Sequence, residues 1–101
     1  MKKKITIREF LLETGNFPNL TGFYPLCRAV EIVREKGHIS ITKELYPQLA
    51  EEFNSTAAKI ERAMRHITAD RITLKQYKDL LGLAKRPTVS EFIYNFALVG
   101  G

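Results

Sequence analysis

The sequence predicts an all-α fold of about six short helices that contains a helix-turn-helix. Two observations carry that expectation. Capping boxes recur along the chain, TIRE at Thr6, TLKQ at Thr73 and TVSE at Thr88. In each, a threonine hydroxyl and a glutamate or glutamine three residues on satisfy two free amides of a helix start. The second observation is that no segment alternates apolar and polar residues over a strand length. HISITK comes nearest and reads as a connection or a short irregular turn.

Taken in order, the first helix opens at the Thr6 box and stops at Gly15, which offers a left-handed end. NFPNLTG reads as a loop. The second helix has Pro25 in its first turn, sets Leu26, Ala29, Val30 and Val33 on one face, and ends at Gly37. LYPQLAEEF follows. Pro47 fits only a first helical turn, so a short helix spans about Tyr46 to Phe53, with Leu49, Ala50 and Phe53 inward. Asn54 tolerates a left-handed turn, and Ser55 or Thr56 can cap the next helix, which runs from about Thr56 to Asp70. Ile60, Ala63, Met64 and Ile67 form its core stripe. A fifth helix runs from the Thr73 box to Gly82, and a sixth begins at Thr88. Phe92, Tyr94 and Phe96 there read as core or interface packing, and Leu98, Val99 and the terminal glycines as a fraying end or a partner contact.

The bulk numbers narrow the function classes. The chain has 101 residues, the size of one domain, and is read as a single helix-turn-helix domain over 1–101. With 45% hydrophobic and 27% charged residues it has a globular composition. Cys27 is the only cysteine, so no internal disulfide forms and a cysteine-based zinc site is not expected. No apolar run is long enough to span a bilayer, and MKKKITIREFLLE lacks the apolar core and cleavage site of a signal peptide. A cytoplasmic location is expected, with MKKK read as a native start. The net charge of +5 is unevenly spread. Residues 1–54 hold eight Lys/Arg against seven Asp/Glu, a net of +1, and residues 55–86 hold eight against three, a net of +5. A basic second half fits a polyanionic partner, nucleic acid or an anionic membrane.

NSTAAKIERAMRHI, residues 54–67, shows where that charge sits. At 100° per residue Arg62 and Arg65 fall opposite the Ile60 stripe, Ala58 and Ala69 lie between them, and Lys59, Glu61 and His66 flank them. A helix of about 22 Å fits lengthwise in a major groove about 12 Å wide. Two arginines on a face kept low by alanines suit guanine edges or phosphates. The short turn implies a steep helix crossing, for which Ala50 and Ala63 are small enough. A protein-interaction surface is the functional rival, because exposed arginines also anchor protein interfaces.

No enzyme is read here. Cys27 has no base near it in sequence, His38 and His66 lack further ligands at metal spacing, and Glu51 and Glu52 point about 100° apart on a solvated face. No glycine-rich phosphate loop is present, and no cofactor is expected.

SITKELYPQLAEEFNSTAAKIERAMRHI followed by RPTVSEFI resembles the C-terminal effector domain of the stage zero sporulation protein A family. The likeness reaches upstream through LLETG and GFYPLCRAV and covers residues from about 10 to 96. The resemblance implies a six-helix transcription regulator that binds short double-stranded DNA boxes of the TGTCGAA type as tandem copies. It implies DNA-contacting roles for Lys59, Glu61, Arg62, Arg65 and His66. Lys59 stands where the family usually has arginine and lacks the planar fork for a bidentate contact. The spacing between RAMRH and RPTVSEF is shorter than in the family, so at best a weak tandem homodimer on DNA is expected. The family's receiver domain is not part of these 101 residues, which implies either a stand-alone module competent to bind, the reading favoured by MKKK, or a fragment of a longer regulator. The alternative implied function is an adaptor or antagonist that keeps the fold without specific DNA binding.

Overall fold

Local capping chemistry starts most of the helices. In the computed structural model, which describes residues 5–99, α1 (Ile7–Glu13) opens at Thr6. There Thr6 Oγ1 accepts from the Glu9 amide at 3.1 Å and Glu9 Oε1 accepts from the Thr6 amide at 3.0 Å. The basic start Met1–Lys4 and the glycines Gly100 and Gly101 lie outside the described residues. The other helices are α2 (Phe23–Lys36), α3 (Tyr46–Glu52), α4 (Ala57–Arg65), α5 (Leu74–Leu81) and α6 (Val89–Tyr94). Among the described residues there are six α-helices and no strand, as the sequence predicts. The same reciprocal pair recurs at Thr73/Gln76 for α5 and Thr88/Glu91 for α6. At the latter, the Thr88 amide holds the Glu91 carboxyl below its usual range. Gly82 ends α5 in the left-handed conformation at φ 70°, and the Leu83 amide folds back onto the Tyr77 carbonyl at 3.3 Å.

Three parts of the backbone differ from expectation. Of the two readings of HISITK, the turn is the one found: Ser40 caps a π-helical turn, Ile41–Leu45, but it runs directly into α3. The long fourth helix changes character at Arg65, where α4 passes into a second π-helical turn, His66–Asp70. Side chains draw on the carbonyls of this stretch. Thr68 Oγ1 donates to the Arg65 carbonyl at 3.4 Å, Tyr77 to the Thr68 carbonyl at 2.6 Å and Arg86 to the Ala69 carbonyl at 2.6 Å. Phe53, expected inward, is exposed: it is the C-cap of α3 at φ −101°, outside the helix, so it leaves the apolar face. A third π-helical turn, Asn95–Val99, extends α6.

α2 lies at the centre, packed against α1, α3, α4 and α6, with Phe23, Leu26, Ala29, Val30 and Val33 buried. Beside it Phe10, Tyr77, Phe92 and Phe96 form an aromatic cluster with ring centroids 5.0–5.9 Å apart where Phe10 meets the others and Phe92 meets Phe96. Tyr94, by contrast, is half-buried and donates its hydroxyl to the Ile39 carbonyl at 2.7 Å. Arg28 joins α2 to α3 through Glu52, at 2.8 Å from Nε to Oε1, which lowers the Glu52 pKa.

Tyr77→Phe isolates one of these contacts. The ring stays, but the Thr68 carbonyl, in a residue 1% exposed, loses its donor. The expected cost is about 1–3 kcal/mol, read as a lower melting temperature. Burial also pushes the Tyr77 hydroxyl well above its ordinary value of 10.0. The raised folded-state value means full stability below pH 10 and a decline above it, as the unfolded chain gains by ionising. The variant should lack that part of the alkaline decline.

Candidate nucleic-acid interface

The α3–α4 pair is built by the turn between its helices. Pro47 sits in the first turn of α3, where no amide is needed. Asn54 takes φ 51°, the left-handed conformation that reverses the chain, and the Ser55 amide bonds the Ala50 carbonyl at 2.8 Å. Thr56 then caps α4, accepting from the Lys59 amide at 3.2 Å. Ile60, Met64 and Ile67 are buried and fix the rotation of α4 about its axis. Ala63 differs from the other stripe residues. It is half-buried, and its tight contact is with Gly22 at the start of α2.

That rotation turns Lys59, Arg62, Arg65 and His66 to solvent, with Ala58 exposed between them. Glu61 is half-buried and pairs with Arg65, Oε1 to Nη1, at 3.5 Å. An exposed i,i+4 pair is worth only about 0.3–0.5 kcal/mol, so it orients Arg65 without withholding it. His66 Nδ1 lies 3.3 Å from Asp70 Oδ2. Among the described residues, the Lys59 and Arg62 side chains make no ion pair. The structure thus gathers the five sequence-predicted residues on one outward surface.

Two grooves flank this surface. One, of about 550 Å³, runs between Asn19–Gly22 and the Lys59–Arg62–His66 edge of α4. The other, of about 300 Å³, lies on the Glu61–Arg65 side, walled by Tyr46 and by Thr88 and Ser90 at the start of α6. Burial raises the Tyr46 phenol, which is also hydrogen-bonded with Ser90, so it stays neutral there. No cluster of three or more His, Cys, Asp or Glu residues able to hold a metal occurs among the described residues. Burial likewise raises the Cys27 thiol, which favours the unreactive protonated form.

Several residues that shape the surface escape a sequence reading. Asn16 is fully buried, and Arg71 donates to its Oδ1 at 2.7 Å and to the Gly15 carbonyl at 3.3 Å. Asn16 Nδ2 in turn donates to Thr14 Oγ1 at 2.9 Å. This clamp ties the α1–α2 loop to the chain just past α4. Arg86 holds the Ala69 carbonyl from the other side. Both arginines read in sequence as part of a basic surface, and only their partners reveal a structural use.

Among the described residues, no helix is long and apolar enough to cross a membrane. A family model described as sporulation initiation factor Spo0A C terminal matches residues 7–98.

Proposed function

The chain belongs to the Spo0A C-terminal family, a family of DNA-binding sporulation regulators, and we propose that it is a sequence-specific double-stranded DNA-binding transcription regulator that reads a short box with α4. The observation that carries this reading is the outward surface of α4: four exposed cationic or titratable side chains around an exposed alanine, between two grooves. Arg62 and Arg65 contact base edges, Lys59, His66 and the later lysines contact phosphates, and Glu61 orients Arg65 and accepts from a base. The box is of the TGTCGAA type, and neighbouring copies on tandem boxes touch weakly. The work is binding, with no chemical step. Selection of bound sequences from random duplexes tests the reading directly: an enriched short motif supports it, and no enrichment favours an adaptor.

Fewer cations face DNA than the charge count implies. Within residues 55–86, Arg71 and Arg86 are engaged by backbone carbonyls and Asn16. About three to five phosphate contacts are therefore expected, and the logarithm of affinity should fall against that of salt with a slope of about −3 to −4.5. Because the α4 surface is already exposed, the 101-residue chain should bind unphosphorylated. One-box and two-box duplexes titrated at several salt concentrations check this. Strong cooperativity on two boxes would overturn the weak-contact expectation, and a flat salt response would remove the phosphate contacts.

A further inference from the structure

We propose that the Asn19–Gly22 segment is a second nucleic-acid contact, which seats one phosphate strand of the duplex against the edge that carries Lys59 on α4 and His66 just past it. The proposal rests on α4 being the DNA-contacting helix and adds a surface from a distant part of the chain.

The geometry of a helix in a major groove is the starting point. An α-helix with its side chains is about 10–12 Å across, and the groove is about 12 Å wide. The two phosphate strands therefore lie along the flanks of the helix, and whatever borders those flanks meets them. On the Lys59–His66 flank the border is Asn19–Gly22, across a groove of about 550 Å³. Asn19 and Thr21 are exposed and carry hydrogen-bond donors, and residues 16–22 contain no acid. Across from them stand three cations, Lys59, Arg62 and Arg65, and a histidine, His66. Asp70 is the one carboxylate lining this groove, and its Oδ2 lies 3.3 Å from His66 Nδ1. Donors on one wall and cations on the other match a phosphodiester, which offers acceptors and negative charge.

The wall is also held in place. Gly22 is pressed so closely on α4 that a Cβ there would lie 2.4 Å from the Ala63 carbonyl oxygen. At its other end the loop is anchored by fully buried Asn16, clamped by Arg71. A loop pinned at both ends holds its donors in position before a partner arrives, which lowers the ordering cost of contact.

Position 21 tests the proposal, because it is exposed and its substitution leaves the core untouched. Thr21→Glu should weaken binding to the preferred box and to scrambled duplex by the same factor, about ten-fold at low salt. Thr21→Lys should strengthen both and steepen the salt slope by about 0.9. Circular dichroism melts confirm that both variants fold. Wild-type affinity in Thr21→Glu, or an unchanged slope in Thr21→Lys, overturns the seat. A loss confined to the preferred box would place Thr21 at a base and overturn the phosphate assignment. Wild-type protein that binds no duplex overturns the reading of α4 itself, and that result is known before any variant is made.

Discussion

Alanine at Arg62 or Arg65 is expected to collapse the preference for the cognate box while leaving the fold intact. Both side chains are exposed on α4, so no core contact is lost, and alanine is the best helix former. A good base contact is worth about 1–3 kcal/mol of discrimination, a factor of about 5 to 150. The two variants should differ. Removing Arg65 leaves Glu61 without its partner, and an unneutralised carboxylate then faces the duplex. Arg65→Ala should therefore lose more total affinity than Arg62→Ala, and Glu61→Gln should restore part of the difference. Affinity for preferred against scrambled duplex, with helical content followed by circular dichroism, reads all of this. Unchanged discrimination in both single variants would sink the assignment of α4 as the reading helix.

Gly22→Ala is expected to lower stability and DNA affinity together. The backbone there, φ −84° and ψ −5°, suits any residue, so the obstacle is space alone. A Cβ would meet the Ala63 carbonyl oxygen at 2.4 Å and its carbon at 2.7 Å, with Ile67 Cδ1 at 3.1 Å. The first two are backbone atoms, so one helix must move. Overpacking of this kind costs about 1–3 kcal/mol, and each kcal/mol lowers the melting temperature of a domain this size by about 4–8 °C. DNA affinity should fall with it, because either shift changes how α4 sits against the Asn19–Gly22 segment. A melt within a degree of wild type would show that the contact is slack.

How much of this was legible follows from the range of each interaction. A capping box spans three residues, so Thr6, Thr73 and Thr88 disclosed their helix starts to a sequence reading. The rotation of α4 was legible because Ile60, Met64 and Ile67 repeat at helical spacing, and that placed Arg62 and Arg65 outward. Phe53 misled because its apolar character outweighed its position one residue past the end of α3. Ala63 was read as small enough for a crossing with α3, and nothing local reported that its carbonyl also lies against Gly22, 41 positions earlier. Nothing local reports Arg71 on Asn16, 55 residues apart. The grooves were hidden for the same reason, since each takes one wall from α4 and the other from a remote segment.

The π-helical turn at His66–Asp70 bears on how such a chain tolerates change in length. A turn closed by i→i+5 bonds holds one residue more than an α turn along the same path. A one-residue deletion there can be absorbed by tightening the turn, leaving α4 before it and α5 after it in register. The same deletion inside Ala57–Arg65 swings every later side chain by about 100° and carries Arg65 off the outward face. Drift in length thus has a permitted place past His66 and a forbidden one within Ala57–Arg65.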